Sequence, residues 1–128
     1  MSYSESMLFY LAHPYSGKAI DPEQRKEEEI ANVDDTNKIA ALLLKQGLMV
    51  YSPLSETHPI HLQGVSMDLW PENEWELYLS RDERLMEKCD ALILCPGWEE
   101  SRGCLRERDY FTESGKPIFI LEDILQES

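Results

Sequence analysis

The sequence predicts a small doubly wound α/β domain: a mostly parallel, Rossmann-like sheet of about four to five strands with helices on both faces. Three observations point there. Short, near-continuous apolar runs alternate with longer amphipathic stretches, the pattern of strands buried on both faces and linked by crossover helices. A length of 128 residues suits a single domain, spanning 1–128, around one core. A hydrophobic fraction of 42% suffices to fill that core.

Each element has a local reason. Met7–Leu11 (MLFYL) reads as the first strand. Asp21-Pro22-Glu23-Gln24 reads as a helix start, with Asp as N-cap, Pro at the first helical position and Gln three residues after the cap. That helix is expected to run to Gln46, with Gly47 just past its end. Ile30, Val33, Ala40, Ala41 and Leu44 recur at helical spacing and form its expected core-facing stripe. The run Glu27–Glu29 suits the positive end of the helix dipole and reads as a solvated face.

Leu48–Tyr51 is the second expected strand. From Pro53 to Pro71 the chain is rich in His, Ser, Pro and Gly, which predicts a long irregular segment. Glu72–Cys89 is expected to be helical and to lead into a strand at Asp90–Cys95. A loop over Pro96–Glu100 follows, then Ser101 as N-cap of a helix over 102–114, stopped by Gly115. Lys116-Pro117 introduces a last strand, Ile118–Leu121.

Charge and cysteine content narrow the function. Twelve basic residues against 25 acidic ones leave a net charge of −13, which disfavours a nucleic-acid polymer or an anionic membrane as partner. No apolar run reaches the roughly 18–20 residues of a membrane span, and the N-terminus lacks a secretory pattern, so the cytosol is the expected location. Cys89, Cys95 and Cys104 show no C-x-x-C spacing, which disfavours a disulfide or zinc framework; Cys89 and Cys95 flank a strand-like run and read as small core residues.

In doubly wound folds ligands sit beyond the carboxyl ends of the strands, near the switch in strand order. That rule nominates Ala12–Gly17, Ser52–His61 and Pro96–Gly103. The first segment is neither a dinucleotide turn nor a phosphate-binding P-loop, because the required glycines are missing. His13, Tyr15 and Ser16 nevertheless offer hydrogen-bonding groups and an aromatic face for a base or sugar; a plain polar turn is the alternative. In the second, Ser52, Ser55 and Thr57 supply hydroxyls. His58 and His61, with Asp68 nearby, lack a convincing third metal ligand. In the third, Gly97 and Gly103 allow close backbone approach, and a helix starting near Ser101 aims free N–H groups over the sheet. Periodicity turns Glu107 partly inward, and Arg108 at least as much, so spacing alone does not choose between catalysis and an ion pair with a neighbouring arginine.

These segments resemble the nucleoside 2-deoxyribosyltransferase-like superfamily, which includes nucleotide N-glycosidases, and within it small bacterial and phage members of uncharacterised function. The likeness rests on Y-L-A-H-P-Y-S at 10–16, S-P-L-S-E-T-H-P-I at 52–60 and P-G-W-E-E-S-R-G-C-L-R-E at 96–107. The superfamily's S-x-G-x-x-x-E pattern stands here as Ser101, Gly103 and Glu107, its glutamate being the nucleophile. Arg81-Asp82 resembles the family's active-site aspartate, with Asp90 a weaker competitor. The glycine- and arginine-rich turn of the nucleotide N-glycosidases is replaced by His13-Pro14-Tyr15-Ser16, which leaves nucleoside versus nucleotide open.

The resemblance implies attack of Glu107 on C1′ of a nucleoside or nucleoside monophosphate, with Asp82 protonating the departing base. It implies sugar contacts from Tyr15 and Ser101, and stacking of Trp98 on the base. It calls for no metal and no organic cofactor, and it implies a homo-oligomer in which neighbouring subunits complete the sites. Trp70 and Trp75 are possible interface anchors. Two other readings stand beside it: a binding module that holds a nucleotide or nucleoside derivative without turnover, and an interaction protein whose acidic segment (Asp68, Glu72, Glu74, Glu76) docks a basic partner.

Overall fold

The computed structural model describes residues 6–127. Its centre is a four-stranded, all-parallel sheet in the order β2-β1-β3-β4, formed by β1 (Leu8–Ala12), β2 (Met49–Tyr51), β3 (Ala91–Leu94) and β4 (Ile118–Ile120). The chain winds outward from β1 to β2, then crosses to β3 on the other side. The switch point therefore lies between β1 and β3, which pair from Phe9↔Ala91 to Ala12↔Leu94. This is the doubly wound α/β arrangement expected. No described helix is long and apolar enough to cross a membrane.

Strand alternation divides the core into two layers. Phe9 and Leu11 of β1 join Ile93, Leu43 and Ile124 on one face. Tyr10 and Ala12 join Leu92, Leu94, Met86, Cys104 and Phe111 on the other. The first face is covered by α1 (Pro22–Lys45) and α5 (Leu121–Glu127), the second by α3 (Glu74–Lys88) and α4 (Arg102–Glu113). All three cysteines are free and buried in these layers.

Helix α1 begins as its sequence specifies. Asp21 caps it by accepting from the Gln24 N–H at 3.0 Å, and Pro22 takes the first helical position. Its buried stripe differs from the expected one. Val33, Thr36 and Leu43 are buried, whereas Ile30 is 57% exposed and Ala41 and Leu44 also face water. The real stripe includes polar Asn32 and Thr36, because the N-terminal half of α1 faces the loop after β1 and not the core.

The largest departure falls on the expected Pro53–Pro71 loop. Residues Pro53–Ser66 form a helix, α2, despite Pro59 inside it. Pro53 suits the first helical position, and Pro59 removes only one backbone hydrogen bond in the second turn. The sequence does not show this helix because its inward face carries Thr57 and His61 beside Leu54, not an apolar stripe, while Ile60, Leu62 and Val65 point outward. It ends where Asp68 adopts a left-handed φ of 56° and the Leu69 N–H returns to the Gly64 carbonyl at 3.0 Å. Gly64 is required by packing: a Cβ there would fall 2.2 Å from the Trp70 indole.

Smaller differences follow from local chemistry. Trp98–Glu100 form a 3-10 turn. The chain after β4 folds at once into α5, whose Leu121 and Ile124 are buried and whose few residues are too short to show a period in the sequence. The Lys116 ammonium donates to the carbonyls of Met86, Glu87 and Cys89 at 2.9–3.1 Å, closing the C-terminus of α3.

Gly64→Ala tests the α2 assignment. The added methyl overpacks Trp70 and is expected to cost about 1–3 kcal/mol, measured as a lower thermal midpoint with altered tryptophan fluorescence. An unchanged melt would contradict the helix–indole contact.

Candidate active site

A cleft of about 870 Å³ opens above the carboxyl ends of β1 and β3. Four parts of the chain wall it: the β1–α1 loop, the inner face of α2, one face of α3, and the first half of α4. From α2 come Leu54, Thr57 and His61, spaced three and four residues apart. From α3 come Glu74, Tyr78 and Asp82 at successive four-residue steps. From α4 come Ser101, Gly103 and Glu107. Ser101 caps this helix, its hydroxyl accepting from the Cys104 N–H at 3.3 Å.

Asp82 and Glu107 meet here as two largely buried carboxyls. Burial pushes Glu107 up to about 8 from an ordinary 4.5; the charge of Asp82 raises it further, while the Tyr10 hydroxyl and Arg106 pull it back. Burial likewise raises Asp82 to about 6, against the pull of Arg81 and Arg106. The nearest Arg81 nitrogen stands 3.8 Å from Asp82, and that Asp82 oxygen accepts no hydrogen bond. Arg81 is instead drawn to Glu56 at 2.8 Å and to the Tyr51 hydroxyl at 3.1 Å.

Tyr10 lies beneath the pair. The residue is fully buried, and burial together with Glu107 and Asp82 drives its hydroxyl far above the ordinary phenol range, so it stays a neutral donor. It sits beside Glu107 without a hydrogen bond of good geometry. The Arg106 Nε is buried and equally unpartnered. Unpaired buried polar atoms around two resisting carboxyls are costly to fold, and such clusters are where chemistry is sought.

The structure brings together seven of the residues nominated from the sequence: Glu107, Asp82, His13, Tyr15, Ser16, Ser101 and Gly103 all line the cleft. His13 does so with both ring nitrogens engaged, Nε2 with Asp35 at 2.6 Å and Nδ1 with the Pro14 carbonyl at 2.7 Å, so it fastens the loop to α1. Tyr15 is half-buried, and burial with Glu29 and Glu74 nearby pushes it up to about 12.

Four nominated residues do not line the cleft. His58 stands behind Tyr15, its Nδ1 3.0 Å from the Tyr15 hydroxyl. Ser52 pairs with Ser55 at the start of α2. Gly97 makes the turn after β3 with φ 90° and borders a smaller depression next door. Trp98 packs against the core with the Arg108 guanidinium 5.5 Å from its ring centroid, outside the cleft lining. The tryptophan lining the cleft is Trp75, 57% exposed. Trp70 is committed internally, stacked on His61 with its Nε1 donating to the His61 carbonyl at 2.9 Å. Asp90 lies at the other end of the strands, where it accepts from the Leu8 N–H at 2.8 Å.

Sequence reasoning missed Tyr10, Glu29 and Tyr78; His61 lies in a nominated segment but enters there only as a candidate metal ligand, and Glu74 enters only through an acidic docking segment. His61 Nδ1 lies 2.5 Å from Glu74, which also accepts from Tyr78 at 2.9 Å. Strand alternation would have pointed to Tyr10, since it shares a sheet face with α3 and α4. Helical spacing back from Asp82 would have found Tyr78 and Glu74. Among the described residues no group of three or more His, Cys, Asp or Glu is placed to hold a metal ion.

A family model for a domain of unknown function, DUF1937, matches residues 7–123. The chain belongs to the DUF1937 family. The match spans β1 through the start of α5, and so contains every wall of the cleft. No curated protein matches the chain.

The raised carboxyls make a signed prediction for this DUF1937 protein. Glu107 binds its proton more tightly folded than unfolded, so its cost to stability grows as pH rises from about 4.5 and is complete above about 8. Glu107→Gln should therefore raise the thermal midpoint by several degrees at pH 8.5 and change it little at pH 4. An equal effect at both pH values would show that the carboxyl is not perturbed.

Proposed function

We propose that the protein catalyses N-glycosyl transfer or hydrolysis on a nucleoside or nucleoside monophosphate, through a covalent glycosyl–enzyme ester on Glu107. One observation carries this reading: Asp82 and Glu107, from different helices, line one cleft half-buried with raised proton affinities, and the nearest cation to Asp82, Arg81, stands 3.8 Å away without a hydrogen bond. The sequence likeness to the nucleoside 2-deoxyribosyltransferase-like superfamily supports the same two residues.

Near neutral pH the pair holds one proton, favoured on Glu107 in the empty cleft. Reaction requires the opposite placement, with Glu107 ionised and the proton on Asp82 or on the base. A base whose ring nitrogen accepts from Asp82 draws the proton that way, and Tyr10 and Arg106 stabilise the charge left on Glu107. The Glu107 carboxylate then forms a bond to C1′ as the glycosidic C–N bond breaks through an oxocarbenium-like state. The bonding pair leaves with the base, and the Asp82 proton neutralises it. A second base or a water attacks C1′ next, displaces Glu107 and returns a proton to Asp82. The chemistry uses side chains alone.

The exposed apolar residues Ile60, Leu62 and Val65 of α2, with Leu69 and Leu77 beyond it, support the homo-oligomer that the resemblance implies, which light scattering tests.

The activity test incubates the protein with deoxynucleosides and their 5′-monophosphates, with and without a second base, and chromatographs the products. Free or exchanged base is expected. Glu107→Ala should lower the rate by roughly 10³-fold or more, and Tyr10→Phe by about 10²-fold. The pH profile of kcat/KM should be bell-shaped with limbs near 6 and 8 that belong to the pair. Intact substrates throughout, with ligand binding retained in Glu107→Ala, would favour the non-catalytic binding module instead.

A further inference from the structure

The loop after β1 is shaped to hold an anion and is filled from within. Three successive backbone N–H groups point at carboxylates of α1. Gly17 donates to Glu29 at 3.2 Å, while Lys18 and Ala19 both donate to one oxygen of Glu28, at 2.6 and 3.0 Å. Consecutive N–H groups converging in this way form the backbone concavity that binds phosphate in other folds. Gly17 is pressed so closely on α1 that a Cβ would fall 2.4 Å from the Arg25 carbonyl oxygen, and Asn32 holds the Tyr15 carbonyl at 3.1 Å. The loop is thus pinned to the helix that supplies the carboxylates.

This loop is one end of the cleft. Tyr15, Ser16, Lys18 and Glu29 line it, and Glu28 lines the adjoining depression with Ser16 and Lys18. The Lys18 ammonium is shared with Glu100 at 3.4 Å. Both the backbone donors and the lysine at this end are therefore already matched to protein carboxylates. A phosphoryl group, bringing about −1.5 to −2 charge at pH 7, would meet Glu28, Glu29 and Glu100. A sugar hydroxyl would meet a carboxylate acceptor. Arg102 and Arg106 add positive charge from α4, but Arg106 lies in the field of Asp82 and Glu107, and Arg102 is exposed and screened by solvent.

We propose that Glu28 and Glu29 are specificity determinants: by occupying the loop's backbone donors they make the cleft accept an uncharged nucleoside, with Glu29 receiving a sugar hydroxyl, and turn away the 5′-phosphorylated form. The proposal rests on the glycosyl-transfer reading only for the ligand being a nucleoside.

The test is equilibrium binding by calorimetry with deoxyadenosine, thymidine and their 5′-monophosphates, alongside base release. Wild type is expected to bind at least one nucleoside tenfold or more tightly than its monophosphate. The double variant Glu28→Gln/Glu29→Gln, which keeps side-chain size, should reduce that ratio at least tenfold. Glu28→Ala alone should open the loop donors and let inorganic phosphate compete with the monophosphate. A wild type that prefers monophosphates, a ratio unchanged in both variants, or no binding of any probe would overturn the proposal. Selective binding without base release would remove the catalytic reading alone. Base release with unselective binding would remove this proposal alone.

Discussion

Two carboxyl groups drawn partly out of water into the same cleft resist ionisation, and the charge of Asp82 adds to the resistance of Glu107. That constraint organises the structure around Asp82 and Glu107. Tyr10 must remain a neutral phenol beneath them, Arg106 must stay close enough to temper the charge, and Arg81 must be diverted to Glu56 so that Asp82 is not neutralised by its own neighbour. A protein under selection for stability alone would replace such a pair with apolar side chains.

The fold delivers the pair economically. Because β1 and β3 are the central strands and the chain switches direction between them, the helices that follow β2 and β3 converge over one end of the sheet. Helix α3 brings Asp82 on the same face as Tyr78 and Glu74; helix α4 brings Glu107 within two turns of its capped N-terminus. The apolar layer beneath, from Leu92 to Phe111, excludes water from below and supplies the burial that perturbs both groups. Stability and chemistry therefore draw on the same layer.

Legibility in the sequence followed the locality of the signal. The strands β1 and β3, the Asp21 and Ser101 caps and the glycine after α1 depend on neighbouring residues, and each lies within a residue or two of its expected place. Helix α2 did not read as a helix because its inner face is built for the cleft: Thr57 and His61 stand where an apolar stripe would betray the period. The stripe of α1 shifted for the same reason. Proximity in sequence also misled. Trp98 sits beside the Ser101–Glu107 segment, yet the 3-10 turn swings it under Arg108, while Trp75, distant in sequence, lines the cleft. Tyr10 was hidden because a tyrosine inside an apolar strand reads as core, and only its neighbours across the sheet reveal an unpaired hydroxyl.

On this reading Asp82 and Glu107 hold one proton between them near neutral pH. A carbon-detected NMR titration of the Asp and Glu side-chain carboxyls from pH 4 to 9 tests it directly. One glutamate carboxyl is expected to stay protonated until about pH 8 and to disappear in Glu107→Gln, accompanied by an aspartate titrating near 6. A spectrum in which every carboxyl has ionised by about pH 5 would contradict it.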